Sequence, residues 1–196
     1  MWRIGFTKPA FDTIVASGRD SALPHARAGE AVLVPGDLVV LDFGGLFCGY
    51  AVDMTRTVSL GEPSDEARRL YGAVEAAQAA AVAAVRPGAR FVDVDGAARD
   101  LLVASGYGEY FVHGTGHGLG LEVHEAPRIG PARPTESTEG MLAPPEPVRL
   151  EPGMVVTIEP GAYVPGFGGV RIEDDVLVTD DGHELLTTVD RVLRVC

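Results

Sequence analysis

The chain has 196 residues, a formal net charge of −12 from 16 basic and 28 acidic side chains, and 46% hydrophobic residues, a balance that suits one folded domain and excludes wholesale disorder. The acid excess excludes a protein that grips phosphates, so no nucleic-acid partner is expected, and no apolar run reaches the roughly 18 residues of a membrane span. The N-terminus MWRIGFTKPA lacks the basic head and apolar stretch of a secretory signal, and Cys48 and Cys196 are too few for a disulfide framework, so a cytoplasmic location is expected.

Residues 37–43 (DLVVLDF) and 47–58 (FCGYAVDMTRTV) read as two strands joined at Gly44-Gly45 in a hairpin. Each carries one acid among apolar neighbours, Asp42 and Asp53. Facing outward, such an acid is unremarkable; facing inward, it is costly unless it is paired or holds a metal. Ser64, followed by Asp65 and Glu66, predicts a helix start, and the Ala-rich run continues to about Val85 before Pro87-Gly88 stops it. A second helix is predicted over 92–104, with Val94, Ala97, Ala98, Leu101 and Leu102 as its core face.

Three of the five histidines, His113, His117 and His124, then fall in HGTGHGLGLEVHE among alternating glycines, which let a backbone approach a ligand closely. The spacing fails the dinucleotide fingerprint, and Arg128 stands where a helical His-Glu-x-x-His zinc site needs its second histidine. Any one of these histidines could be a satisfied core residue; three on one glycine-rich turn point to a site. The stretch 131–147, with five prolines, reads as an extended surface loop. Strands resume at 154–159 and 169–178, carrying Glu159 and Glu173 on β-prone runs. Asp174 and Asp175 read as a solvated strand end, and Asp180, Asp181 and His183 as turn residues. Hairpin, two helices and further strands make an α+β domain.

Asp42, Asp53, Glu159 and Glu173, with one imidazole from the glycine-histidine segment, form a mostly oxygen donor set, suited to two divalent ions of the Mn²⁺, Co²⁺, Fe²⁺ or Zn²⁺ type that can share a hydroxide and polarise a carbonyl. No thiol belongs to the set, and no Gly-x-Ser-x-Gly elbow supports a serine nucleophile.

LDFGGLFCGYAVDMTRT, HGTGHGLGLEVHEAP, VVTIEPGAYV and GVRIEDDVLVT, in this order, resemble the signatures of the pita-bread metallopeptidases, the family of methionine aminopeptidase, aminopeptidase P, prolidase and creatinase. The resemblance runs from about Phe11 to Val195. It implies a curved antiparallel sheet covered by helices, and one catalytic domain over 1–196. By position, Asp42, Asp53, His117, Glu159 and Glu173 match the family's metal ligands, with Asp53 and Glu173 bridging two ions, Mn²⁺ first among the candidates. The same match makes Glu159 the proton shuttle. It makes His25, His113 and His124 catalytic or substrate-side histidines, and Arg171 the residue that orients a ligand carboxylate. LPHARAG and EPGAYVPGFGGVRIEDD resemble the proline-specific branch. They imply hydrolysis of an Xaa-Pro bond, in a peptide with proline second, by a hydroxide bridging the metals. The alternatives are a methionine aminopeptidase and a non-catalytic peptide-binding module. The family's usual N-terminal helices have no counterpart before FDTIVASG, so a homo-oligomer or a missing N-terminal region is expected to cover the face they leave.

Overall fold

The computed structural model describes residues 2–131 and 149–196; of the Pro-rich stretch 131–147, all but Pro131 lies outside the described residues. Two short 3-10 turns, Trp2–Ile4 and Gly18–Ala22, bracket β1 (Lys8–Pro9) and β2 (Ile14–Ser17). Both strands pair antiparallel with β3 (Leu38–Phe47), whose other edge pairs along its full length with β4 (Tyr50–Ser59). The expected hairpin is therefore present, but its turn is Cys48-Gly49 and not Gly44-Gly45. Cys48 (φ 49°) and Gly49 (φ 88°) adopt the paired left-handed conformations whose twist matches the flanking strands. Gly44 lies mid-strand for another reason: a Cβ there would come within 2.2 Å of the Val52 carbonyl oxygen.

The first helix, α1 (Asp65–Ala84), starts where expected. The Ser64 hydroxyl accepts the Ala67 N–H at 3.1 Å, Asp65 and Glu66 occupy the positive first turn, and Pro87 prevents continuation. Its buried stripe, Leu70, Val74, Ala77 and Ala81, recurs at helical spacing. In α2 (Phe91–Ala104) the core face is Phe91, Val94, Asp95, Ala98 and Leu102. Leu101 is 38% exposed and Ala97 only half-buried, so the predicted face is rotated: the buried place beside Val94 and Ala98 goes to Asp95, which hydrogen-bonds into the interior.

A 3-10 turn at Gly108–Tyr110 leads to a second sheet of β5 (Gly116–Gly118), β6 (Glu125–Ile129), β7 (Val155–Ile158), β10 (Asp174–Val178) and β11 (His183–Leu185), in the order β11-β10-β7-β5-β6. A separate hairpin joins β8 (Gly161–Val164) to β9 (Gly168–Arg171). The predicted strand 169–178 is thus two strands. At the break, Ile172 N–H donates to the Pro160 carbonyl and Glu173 N–H to the Thr55 carbonyl, so the chain passes from one sheet to the other at the acid itself. His183 opens β11 instead of lying in the turn, and its Nδ1 sits 2.9 Å from the Val85 carbonyl at the end of α1. Asp180 and Asp181 are exposed as expected. Both helices pack their stripes on Val156, Ile158, Ile172 and Val176 in one continuous core. Among the described residues no helix is long and apolar enough to cross a membrane, and Cys48 and Cys196 are both free and exposed.

Replacing Ser64 by Ala removes the α1 cap bond and should lower stability by about 1 kcal/mol, read as a shift of the urea midpoint with an unchanged slope.

Candidate metal centre

Strand register explains how the acids meet. Asp42 on β3 stands opposite Thr55 on β4, and Asp53 stands opposite Gly44, so these residues share one face of the hairpin. That face is inward: Asp42 is 9% exposed and Asp53 4%. The crossing at Ile172-Glu173 lays Glu173 against it, where Thr55 Oγ1 donates to Glu173 Oε2 at 2.7 Å. His117 arrives on β5 and Glu159 directly after β7; Glu159 N–H donates to the Thr115 carbonyl at 2.7 Å. The glycines allow this convergence, since a Cβ at Gly116 would come within 1.8 Å of the Thr157 carbonyl oxygen.

Donor atoms of Asp53, His117 and Glu173 lie within 4.8 Å of one another. His117 Nε2 is 3.4 Å from Glu159 Oε1 and 3.9 Å from Asp53 Oδ2. His117 Nδ1 is 3.0 Å from its neighbour's carbonyl, that of Gly118; a proton on Nδ1 satisfies that bond and leaves the Nε2 lone pair facing the acids. Burial, with His124 and Arg128 nearby, lowers the His117 pKa to about 4, so the ring is neutral at pH 7. Asp42 Oδ1 and Asp53 Oδ1 are buried without a hydrogen-bond partner among the described residues. Two orphaned carboxylate oxygens and one free imidazole lone pair, aimed into a common space, fit divalent cations.

The crowding of these acids shows in their proton affinities. Burial, then Asp42, Glu159 and Asp175, raise the Asp53 pKa to about 8. Burial and Asp42 raise Glu159 to about 8 against the pull of Arg171. Glu173 rises well above the ordinary range through burial and its three acidic neighbours, Glu159, Asp53 and Asp42. Arg171 reaches directly into this set of acids. It donates to Asp42 Oδ2 at 2.5 Å, to Thr55 Oγ1 at 3.1 Å, to the Tyr163 hydroxyl at 2.8 Å and to the Pro24 carbonyl at 3.2 Å.

These side chains line a cleft of about 980 Å³ that also receives His25, His113 and His124. The His124 ring stacks tilted on His117 with centroids 4.3 Å apart. His113 is held by its own chain, Nδ1 2.7 Å from the Gly114 carbonyl and Nε2 2.8 Å from the Tyr163 hydroxyl. Burial lowers its pKa to about 4. Every sequence-selected residue therefore faces this one cleft, His25 from its exposed rim.

Asp174 and Asp175 correct the sequence reading, being 1% and 4% exposed and not solvated. Asp174 is neutralised by Arg56 at 2.6 Å and Arg191 at 2.9 Å, while Asp175 Oδ2 accepts the Asp53 N–H at 3.3 Å. Sequence reasoning also passed over Tyr163 and Thr55. Their only local signal was a polar tip on a β-prone run, and their partners lie far along the chain.

Residues 1–180 match the model of metallopeptidase family M24. The chain is 47% identical over 189 residues to the Xaa-Pro dipeptidase of Pyrococcus furiosus, covering 96% of this chain and 51% of that protein. Among solved structures, the Xaa-Pro dipeptidase from Bacillus anthracis superposes with a TM-score of 0.90 at 46% identity, over all of this chain and 51% of that one. The X-Pro aminopeptidase from Thermotoga maritima superposes with a TM-score of 0.89 at 42% identity, over all of this chain and 52% of that one. The expected α+β pita-bread architecture is the one these neighbours share. The chain spans about half the length of the relatives it matches.

Without cations, the folded chain keeps protons on Asp53 and Glu159 up to about pH 8, whereas the unfolded chain releases them near pH 4. Folded protein thus binds more protons across that window, and stability falls as pH rises through it. Below about 6.5 the two depressed histidines oppose this, because there the unfolded chain takes up their protons. The melting temperature of chelator-treated protein should therefore fall between about pH 6.5 and 8. Added divalent cation should raise it more at pH 8 than at 6.5; a flat profile would refute the clustered carboxylates.

Proposed function

Because the chain belongs to metallopeptidase family M24, we propose that it hydrolyses Xaa-Pro peptide bonds with two divalent ions. The observation that carries this reading is the convergence of Asp53, His117 and Glu173 within 4.8 Å, with Asp42 and Glu159 facing the same cleft. Those five residues would hold the ions, and the oxygen-rich set favours Mn²⁺ over a thiolate-loving metal. When bound, the ions supply a Lewis acid for the scissile carbonyl and acidify water at neutral pH.

The chain's own groups account for the rest. Glu159, held at its backbone by Thr115 and facing the cleft, is the general base. It takes a proton from the attacking water and delivers it to the departing proline nitrogen, which leaves as a secondary amine. An Xaa-Pro bond carries no N–H, so the substrate needs an apolar wall at that position; Phe11, Ile14 and Pro24 provide one. His113, clamped by Tyr163 and Gly114, is the fixed histidine of the substrate side. His124 beside His117, and His25 at the rim, meet the substrate and its developing charge. Arg171 fixes the Asp42 carboxylate.

We take residues 1–196 as one catalytic unit with 131–147 as its Pro-rich loop, acting on peptides in the cytoplasm, where two free thiols persist. The test is Mn²⁺-loaded protein against Xaa-Pro di- and tripeptides, with Met-Ala peptides as the methionine-aminopeptidase control. Proline peptides should be cut and Met-Ala spared. Glu159→Gln should lower kcat by about 10²-fold or more. A binding module with this fold would show peptide affinity, no turnover, and no response to that substitution.

A further inference from the structure

The segment 111–117 brings two histidines to the cleft but has little regular structure of its own; only Gly116–Gly118 is strand. What holds it is α2. Asp95, 2% exposed, accepts both the N–H and the hydroxyl of Thr115 on Oδ1, at 3.1 and 2.8 Å. One turn on, Arg99 bonds the same carboxylate at 2.8 and 3.0 Å. The rest of its fork reaches the Phe111 carbonyl at 2.9 Å and the His113 carbonyl at 2.8 Å, and its carbon lies 4.1 Å above the Phe111 ring. Four hydrogen bonds and one stacking contact thus converge on three alternate residues, 111, 113 and 115, and two further bonds lock Arg99 to Asp95. The second two belong to the cleft's frame, since the Thr115 carbonyl in turn accepts the Glu159 N–H at 2.7 Å.

An isolated buried acid is expensive, and replacing a buried ion pair with apolar groups is often neutral or stabilising. Here the pair's spare bonding capacity is spent on one segment, on three backbone atoms and the Thr115 hydroxyl, which no apolar replacement could hold. We infer that Asp95 and Arg99 are positioning residues for the reaction, a two-residue bracket on α2 that sets the placement of His113 directly and of Glu159 through Thr115. Neither touches substrate or cation. This inference rests on the proposed peptidase activity for its kinetic arm only.

The test uses the chain of residues 1–196 loaded with diamagnetic Zn²⁺ for spectroscopy and with Mn²⁺ for turnover. Arg99→Lys keeps a positive charge beside Asp95 but cannot span two carbonyls and the carboxylate together. Asp95→Asn is the more severe companion. In Arg99→Lys the melting temperature should stay close to that of the unaltered protein. The ring resonances of His113, assigned with His113→Gln, should shift while those of His183 stay in place. kcat/KM on an Xaa-Pro peptide should fall about tenfold or more, with the half-saturating Mn²⁺ concentration unchanged within about twofold. A structural role alone would leave activity per folded molecule and the His113 resonances intact in Arg99→Lys, and that result overturns the inference. If Asp95→Asn does not fold, Arg99→Lys still decides. If the unaltered protein cuts no Xaa-Pro peptide, the proposed function falls, and the His113 resonances alone decide whether the bracket positions the segment.

Discussion

Mutual repulsion among four carboxylates in one half-dry cleft is the constraint around which the molecule is arranged. Asp42, Asp53, Glu159 and Glu173 each raise or feel the proton affinity of at least one other, and burial amplifies every such pair. A chain optimised only for stability would not gather them. The surrounding structure limits the damage by local means: Arg171 takes one oxygen of Asp42, and Thr55 donates to Glu173. Among the described residues one oxygen each on Asp42, Asp53 and Asp175 remains unsatisfied, and the first two belong to residues lining the cleft, where cations would complete the balance.

Behind this front lies a second charged layer in which pairing is complete. Asp174 faces Arg56, Arg191 and Gln78, and Arg56 also donates to the Glu173 carbonyl, so the strand that carries the acid is anchored from its far side. α2 plays the same part for the glycine-histidine segment. The two layers differ in purpose. The rear one neutralises charge and fixes backbone, while the front one gathers carboxylates that hold their protons until a ligand takes their place.

Much of this was legible in the sequence, for physical reasons that differ from element to element. Ser64-Asp65-Glu66 announces α1 because capping is a contact between near neighbours. The donor set is legible because acids on β-prone apolar runs, with histidines among glycines, are costly choices that require a purpose. Partners distant along the chain were not legible. Nothing near Asp174 reveals Arg56 or Arg191, nothing near Asp95 reveals Thr115, and no local pattern separates Gly44-Gly45, kept bare by a crowded strand, from Cys48-Gly49, which turns. The rotated face of α2 has the same origin: periodicity counted Leu101 as core, but the buried carboxylate chose the helix's orientation.

The bond between Thr55 and Glu173 joins residues 118 positions apart, and Arg171 reaches Asp42 across 129. Closing such loops carries an entropic cost that local structure cannot offset, and contacts of this separation form late in folding. The cation site accordingly has no partial version. The β3–β4 hairpin alone presents two of the acids, and the strands from β7 onward present the other two. A divalent ion held there would therefore be a signature of the folded chain, and a stalled intermediate, however helical, would have nowhere to keep it.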